Sequence, residues 1–79
     1  MNTVIFETKD LRVRIQDGLV CVDQRSLNGE PWREIEQNQL PVTEQWLGSP
    51  VRSSPLKIAL WAFELENPGD MALRKALRA

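Results

Sequence analysis

Glu34 and Glu36 are the first residues in this chain whose spacing raises a chemical question. Carboxylates at alternate positions of a strand stand on one face about 7 Å apart, a separation at which one can act as acid and the other as base. Such work needs a perturbed environment, and nothing nearby implies a cleft, so a solvated strand face is expected. Cys21 is the single cysteine, and the chain has no histidine. An arginine beside the thiol would lower its pKa and make it reactive. With no base and no second cysteine to accompany it, a small half-buried side chain is expected instead.

The missing histidine also removes the commonest general base and metal ligand. One cysteine cannot build a zinc site, and the acidic residues lack calcium-loop spacing. Gly18, Gly29, Gly48 and Gly69 each fall at an expected turn or helix end, and none belongs to a phosphate-cradling loop. No catalytic residue, cofactor or metal is expected, and the chain reads as a non-enzyme.

Two groupings suit binding instead. On a C-terminal helix Arg74, Lys75 and Arg78 share one side, opposite Ala72, Leu73, Ala76 and Leu77. These three basic residues are the candidates for a nucleic-acid contact, but they sit on a chain of net charge −1. Tight nucleic-acid binding neutralises several phosphates, and basic residues in a last turn also answer the helix dipole. Trp32, Trp46 and Trp61 form the second grouping. Without tyrosine or histidine they make no RNA-stacking platform of the usual kind, so each reads as a core or interface side chain.

These residues must be positioned by one short domain, 1–79, since 79 residues leave room for no second one. Residues 1–38 carry a charge of −2 and residues 39–79 a charge of +1, which fits neither a polyanion mimic nor a strongly basic clamp. A hydrophobic fraction of 42% with 27% charged residues is globular composition. There is no apolar run long enough to span a membrane and no basic-then-apolar N-terminal signal. With a lone cysteine, a cytoplasmic setting is expected. A chain this short buries only about 60% of its unfolded surface, so it must use its apolar residues fully or borrow a partner's surface.

Residues 1–38 read as an antiparallel meander. Asp17-Gly18 and Asn28-Gly29 are strong two-residue hairpin signals, because type I′ turns need positive φ at both central positions. With loops at Lys9-Asp10, Asp17-Gly18 and Asn28-Gly29, the expected partners are Phe6–Val13, Val4–Ile15, Ile15–Val20, Val13–Val22, Leu11–Gln24 and Ile35–Val22. Three separate loops thus place Val4, Phe6, Val13, Ile15, Val20, Val22 and Ile35 on one face, which a one-residue slip would scatter. The same register puts Glu7, Arg12, Arg14, Cys21, Asp23, Arg25, Trp32, Glu34 and Glu36 on the other face, with Arg12 opposite Asp23, Arg14 opposite Cys21 and Trp32 opposite Arg25. Such a face is commonly solvated. Read more sharply, it is a mixed-charge docking face anchored by Trp32 with Arg12 and Arg25, residue types enriched at binding hot spots. Pro31 restricts the fourth strand to an edge or a late start.

Residues 39–79 read as helical. Pro41 to Gly48 suits one short helical turn holding Trp46 and Leu47, with Thr43 as N-cap. Ser54-Pro55 is a clear helix start, and the run Leu56 to Glu66 follows. Asn67, Pro68 and Asp70 suggest an immediate second start. On a helix, Leu56, Ala59, Leu60 and Phe63 make one stripe, and Ile58, Trp61, Ala62 and Leu65 a second on nearly the opposite side. A helix apolar on both sides is buried or touches two things. A fifth strand is the alternative for residues 56–66.

The expected fold is α+β, a three- to four-stranded antiparallel meander followed by two or three short helices packed on one face. The expected function is a small cytoplasmic adaptor or inhibitor that binds another protein or a second copy of itself. Trp61, Leu65, Trp32, Arg12 and Arg25 are its candidate contact residues. A nucleic-acid-binding regulator using the basic C-terminal helix is the runner-up.

Overall fold

The structure, a computed structural model, describes residues 2–27, 29–42 and 54–78. Within them, strands β1 (Asn2–Glu7), β2 (Leu11–Gln16), β3 (Leu19–Gln24) and β4 (Arg33–Gln39) precede helices α1 (Pro55–Glu66) and α2 (Ala72–Arg78). The strands form one antiparallel sheet in chain order, so the fold is the α+β meander with two following helices. The short helix expected around Trp46, capped by Thr43, lies outside the described residues. No described helix is long and apolar enough to cross a membrane.

Turn chemistry sets the register. Asp17 (φ 52°) and Gly18 (φ 78°) both occupy the left-handed region, as a type I′ turn demands. The β2–β3 ladder that follows pairs Leu11–Gln24, Arg12–Asp23, Val13–Val22, Arg14–Cys21 and Ile15–Val20, every partner as expected. At the β1–β2 turn Thr8 Oγ1 accepts the N–H of Leu11 at 3.0 Å, and Thr8 N–H donates to the Leu11 carbonyl at 2.7 Å, which closes Lys9-Asp10 as a two-residue loop. The β3–β4 connection is wider than the expected two-residue hairpin, running from Gln24 to Arg33, and Asn28 lies outside the described residues.

Both outer strands depart from the expected pairing through a β-bulge. In β1 the register is Phe6–Val13 and Glu7–Arg12, then slips so that Val4 meets Arg14 and Thr3 meets Ile15. Val4 is therefore turned off the core face and is exposed, and Ile5 packs against the core in its place. In β4 the register is Gln24–Arg33 and Asp23–Glu34, then slips so that Val22 meets Glu36. Ile35 is the inserted residue rather than the partner of Val22, and it still packs on the core. Glu36 consequently leaves the charged face to which it was assigned and stands on the helix side. Bulges on both edges also twist the open strand edges away from further pairing.

The core lies between the sheet and the helices. Val13, Val20 and Val22 meet Leu56, Ala59 and Leu60 of α1 and Leu73 and Leu77 of α2, with Ile5, Phe6, Ile15, Ile35 and Phe63 packed around them. Residues 55–66 are helix, not a fifth strand, and the stripe Leu56, Ala59, Leu60, Phe63 faces the sheet as its spacing requires. Phe63 meets Phe6 edge to face with ring centroids 5.4 Å apart, a favoured aromatic geometry. Lys57, although charged, is buried as well.

Ser54 caps α1: its Oγ accepts the N–H of Lys57 at 3.2 Å, and Pro55 takes the first helical position. Asn67 serves the end of α1 rather than the start of α2. Its backbone N–H and its Nδ2 both donate to the Phe63 carbonyl, at 2.9 and 3.0 Å. The helix start falls instead to Asp70, whose Oδ1 accepts the N–H of Ala72 at 2.9 Å. Gly69 (φ 81°) makes the turn between them. The last turn of α2 is tied to the chain leaving the sheet, where Val42 N–H donates to the Leu77 carbonyl at 2.7 Å.

Candidate protein-binding surfaces

The helices cover one face of the sheet, and the other face is built from β2, β3 and the start of β4. Its centre is Asp23, 1% exposed although it stands on the face away from both described helices. Arginines cover it. Arg14 donates to it twice, Nε to Oδ2 at 2.8 Å and Nη2 to Oδ1 at 3.2 Å, and Arg12 Nε donates to Oδ2 at 2.9 Å. Arg14 also reaches Glu34 Oε1 at 2.8 Å and Gln16 Oε1 at 2.6 Å. A charge this buried is tolerated only when paired and hydrogen-bonded, and no buried side-chain nitrogen or oxygen among the described residues lacks a partner.

The electrostatics follow from this packing. Burial alone would raise the Asp23 pKa, but the hydrogen bonds from Arg14 and Arg12 and their charges hold it below its ordinary value. The bond to Asp23 raises the Arg14 pKa in turn, against its own desolvation. Cys21 lies on this face opposite Arg14, as expected, but it is fully buried rather than half-buried. Burial raises its thiol pKa, and the Arg14 charge only partly opposes that. The thiolate is therefore disfavoured, the reverse of an activated nucleophile. Glu34 and Glu36 do not form a pair, because the bulge sends Glu34 to Arg14 and Glu36 to the start of α1.

Trp32 borders this network just ahead of β4. The Arg12 Cζ lies 4.7 Å and the Arg25 Cζ 4.0 Å from its ring centroid, so two guanidinium groups meet one indole. Arg25 is held by its Nε, which donates to the Lys9 carbonyl at 2.8 Å. A cleft of about 150 Å³ lies alongside, lined by Gln24, Arg25, Ser26, Glu30, Pro31 and Arg33. Trp32, Arg12 and Arg25 are thus brought together.

Trp61 and Leu65 lie on the far side of the molecule, on the outer side of α1. With Ile58 they form a ridge at helical spacing, 45% exposed at Ile58, 52% at Trp61 and 83% at Leu65. The basic residues of α2 differ in their surroundings. Arg74 is clamped to Glu64, Nε to Oε2 at 2.9 Å and Nη2 to Oε1 at 3.0 Å, and that bond lowers the Glu64 pKa. Lys75 and Arg78 remain on the exposed side of the helix.

Two participants were not singled out by residue type. Arg14 and Asp23 organise the open face, and the signal for them was the register that places Arg12, Arg14 and Asp23 within one strand pair. No group of three or more potential metal-ligating side chains occurs among the described residues. No protein-family model matches the chain, and comparison with curated proteins and with solved structures found no match.

Proposed function

We propose that this is a small non-enzymatic protein of the cytoplasm that works by binding another protein, as an adaptor or an inhibitor. The observation that carries this reading is the ridge of Ile58, Trp61 and Leu65, which stays exposed on α1 while the opposite stripe of that helix supplies the core. Apolar residues repeated along one outer side of a helix are what a helix-in-groove contact uses. A partner with an apolar groove fits better than a second copy. Two such ridges meeting symmetrically would cover only three side chains each, well short of the roughly 800 Å² per partner of a standard stable interface. A groove that wraps the ridge covers its flanks as well.

The test is loss of a defined complex. The partner that co-purifies with the wild-type chain is identified and purified, and its affinity is measured against Leu65→Lys and Trp61→Ala. Placing an ammonium in an apolar contact should weaken binding at least tenfold, while circular dichroism stays native. Unchanged affinity in both variants would remove the ridge as the binding surface. The isolated chain should sediment as a monomer at micromolar concentration.

A further inference from the structure

We propose that the open sheet face carries a second, separate site, a carboxylate seat at Arg12 and Trp32 that takes an acidic segment of a partner protein. The seat rests on how Arg12 is held. Its Nε is committed to Asp23 at 2.9 Å, and its guanidinium lies 4.7 Å from the Trp32 ring centroid. Among the described residues its two terminal amino groups meet no acceptor. The side chain is 23% exposed, so part of it reaches solvent. A planar guanidinium fixed on one side by a carboxylate and on another by an indole presents two parallel N–H donors in a set direction, the geometry that a carboxylate meets bidentately. Because the rotamer is already fixed, little ordering is left to oppose binding.

The surroundings favour a carboxylate as the guest. Arg25 lies against the same indole, which places a second guanidinium at the Trp32 ring beside the seat. The adjoining cleft of about 150 Å³ has room for one side chain and falls below the ~300 Å³ at which small-molecule pockets begin. A nucleic-acid strand fits less well. The face already commits Arg14 and the Arg12 Nε to its own Asp23 and Glu34, whereas tight strand binding neutralises several phosphates with cations not so committed. The face also offers one aromatic ring where sequence-tolerant strand binding stacks several bases. This seat and the ridge on α1 point to opposite sides of the two-layer fold, so one chain can hold two partners at once.

The experiment is fluorescence anisotropy with three labelled probes: a deca-glutamate peptide, a deca-glutamine peptide and a ten-nucleotide oligouridylate. The wild-type chain should bind deca-glutamate with an affinity that falls as salt rises, and should not bind deca-glutamine. Arg12→Lys keeps the charge and the Asp23 contact but loses the fork and the stacking, and should weaken binding roughly threefold to fivefold, the scale of an exposed cation–π contact. Trp32→Leu and Arg25→Gln should do the same, and Arg25→Gln leaves the Asp23 pairs untouched should the other variants unfold. Leu65→Lys should bind deca-glutamate as the wild type does, which separates this site from the α1 ridge. The proposal is overturned if deca-glutamate does not bind, if these substitutions leave its affinity unchanged, if Leu65→Lys weakens it, or if oligouridylate binds more tightly.

Discussion

Glu36 and Leu56 are joined across the two halves of the chain: Glu36 Oε1 accepts the backbone N–H of Leu56 at 3.2 Å, so β4 caps α1. The first turn of α1 contains no acidic residue, and the negative charge that a helix N-terminus favours arrives from β4 instead. The bulge at Ile35 makes this possible by turning Glu36 to the helix side. Asn38 Nδ2 steadies the other carboxylate oxygen at 2.6 Å.

Glu36→Ala should therefore destabilise the fold by about 1–2 kcal/mol, the scale of a lost N-cap with its charge–dipole contribution. Glu36→Gln should recover most of this, since an amide oxygen accepts the same bond. Urea denaturation checks it: the midpoint should fall for the alanine variant with the slope unchanged. Equal midpoints for Glu36→Ala and the wild type would mean that the cap contributes nothing.

Asp23 should make the fold sensitive to acid. Its folded pKa lies below the ordinary value of 3.8. The stability it contributes is thus complete above that value and is lost as pH falls through the lower folded one. Glu64, held low by Arg74, adds a loss of the same sign. Stability should be level on this account down to about pH 5 and should decline below about pH 4. Asp23→Asn removes Asp23's share of that dependence and takes from Arg14 the buried one of its two carboxylate partners, leaving Glu34. Breaking a buried pair typically costs about 3–5 kcal/mol, a large part of what a chain this size possesses. Urea midpoints at pH 3 and pH 7 for both proteins test this, and the same acid decline in Asp23→Asn would assign it to other carboxylates.

The register of β2 and β3 was legible because Asp17-Gly18 dictates both its turn type and, through it, every partner in the ladder. The two bulges were not, since an inserted residue in an edge strand is decided by what the core needs opposite it. Val4 and Phe6 alternate as a regular strand would, and the extra apolar neighbour Ile5 was the only hint that one of them would be displaced. Register placed Arg12 beside Asp23 but paired Arg14 with Cys21. The arginine is long enough to reach diagonally to Asp23 and Glu34, and pairing alone does not say so. Asn67 had the residue type of an N-cap, yet its amide serves the preceding carbonyl, which cap preferences do not distinguish.

Cys21 should be chemically silent in the folded chain. It is 2% exposed, and burial raises its thiol pKa, so both access and thiolate fraction are low. A disulfide-forming aromatic reagent at pH 8 should label it orders of magnitude more slowly in buffer than in 6 M guanidinium. Labelling at the unfolded rate would mean that β3 opens freely. Cys21→Ser should keep the fold, and total loss of function in a folded Cys21→Ser protein would reopen a chemical role for the thiol.

Leu60 and Leu65 sit on one helix in opposite surroundings, 1% and 83% exposed. Leu60→Ala removes atoms packed among Val13, Val20 and Val22 and leaves a cavity, so it should cost about 2–5 kcal/mol. Leu65→Lys removes no internal contact and should change stability by less than about 0.5 kcal/mol. Phe63→Ala should fall between them, because Phe63 is only half-buried and loses mainly its edge contact with Phe6. Thermal melts of the three variants give this order directly. The order bears on function as well as on folding, since a ridge that tolerates lysine is available to a partner. If Leu65→Lys unfolds the isolated chain as badly as Leu60→Ala does, both stripes of α1 are internal. The helix is then the buried centre of the domain, and the Trp32 face, held open by Arg12, Arg14 and Asp23, becomes the surface that any partner must use.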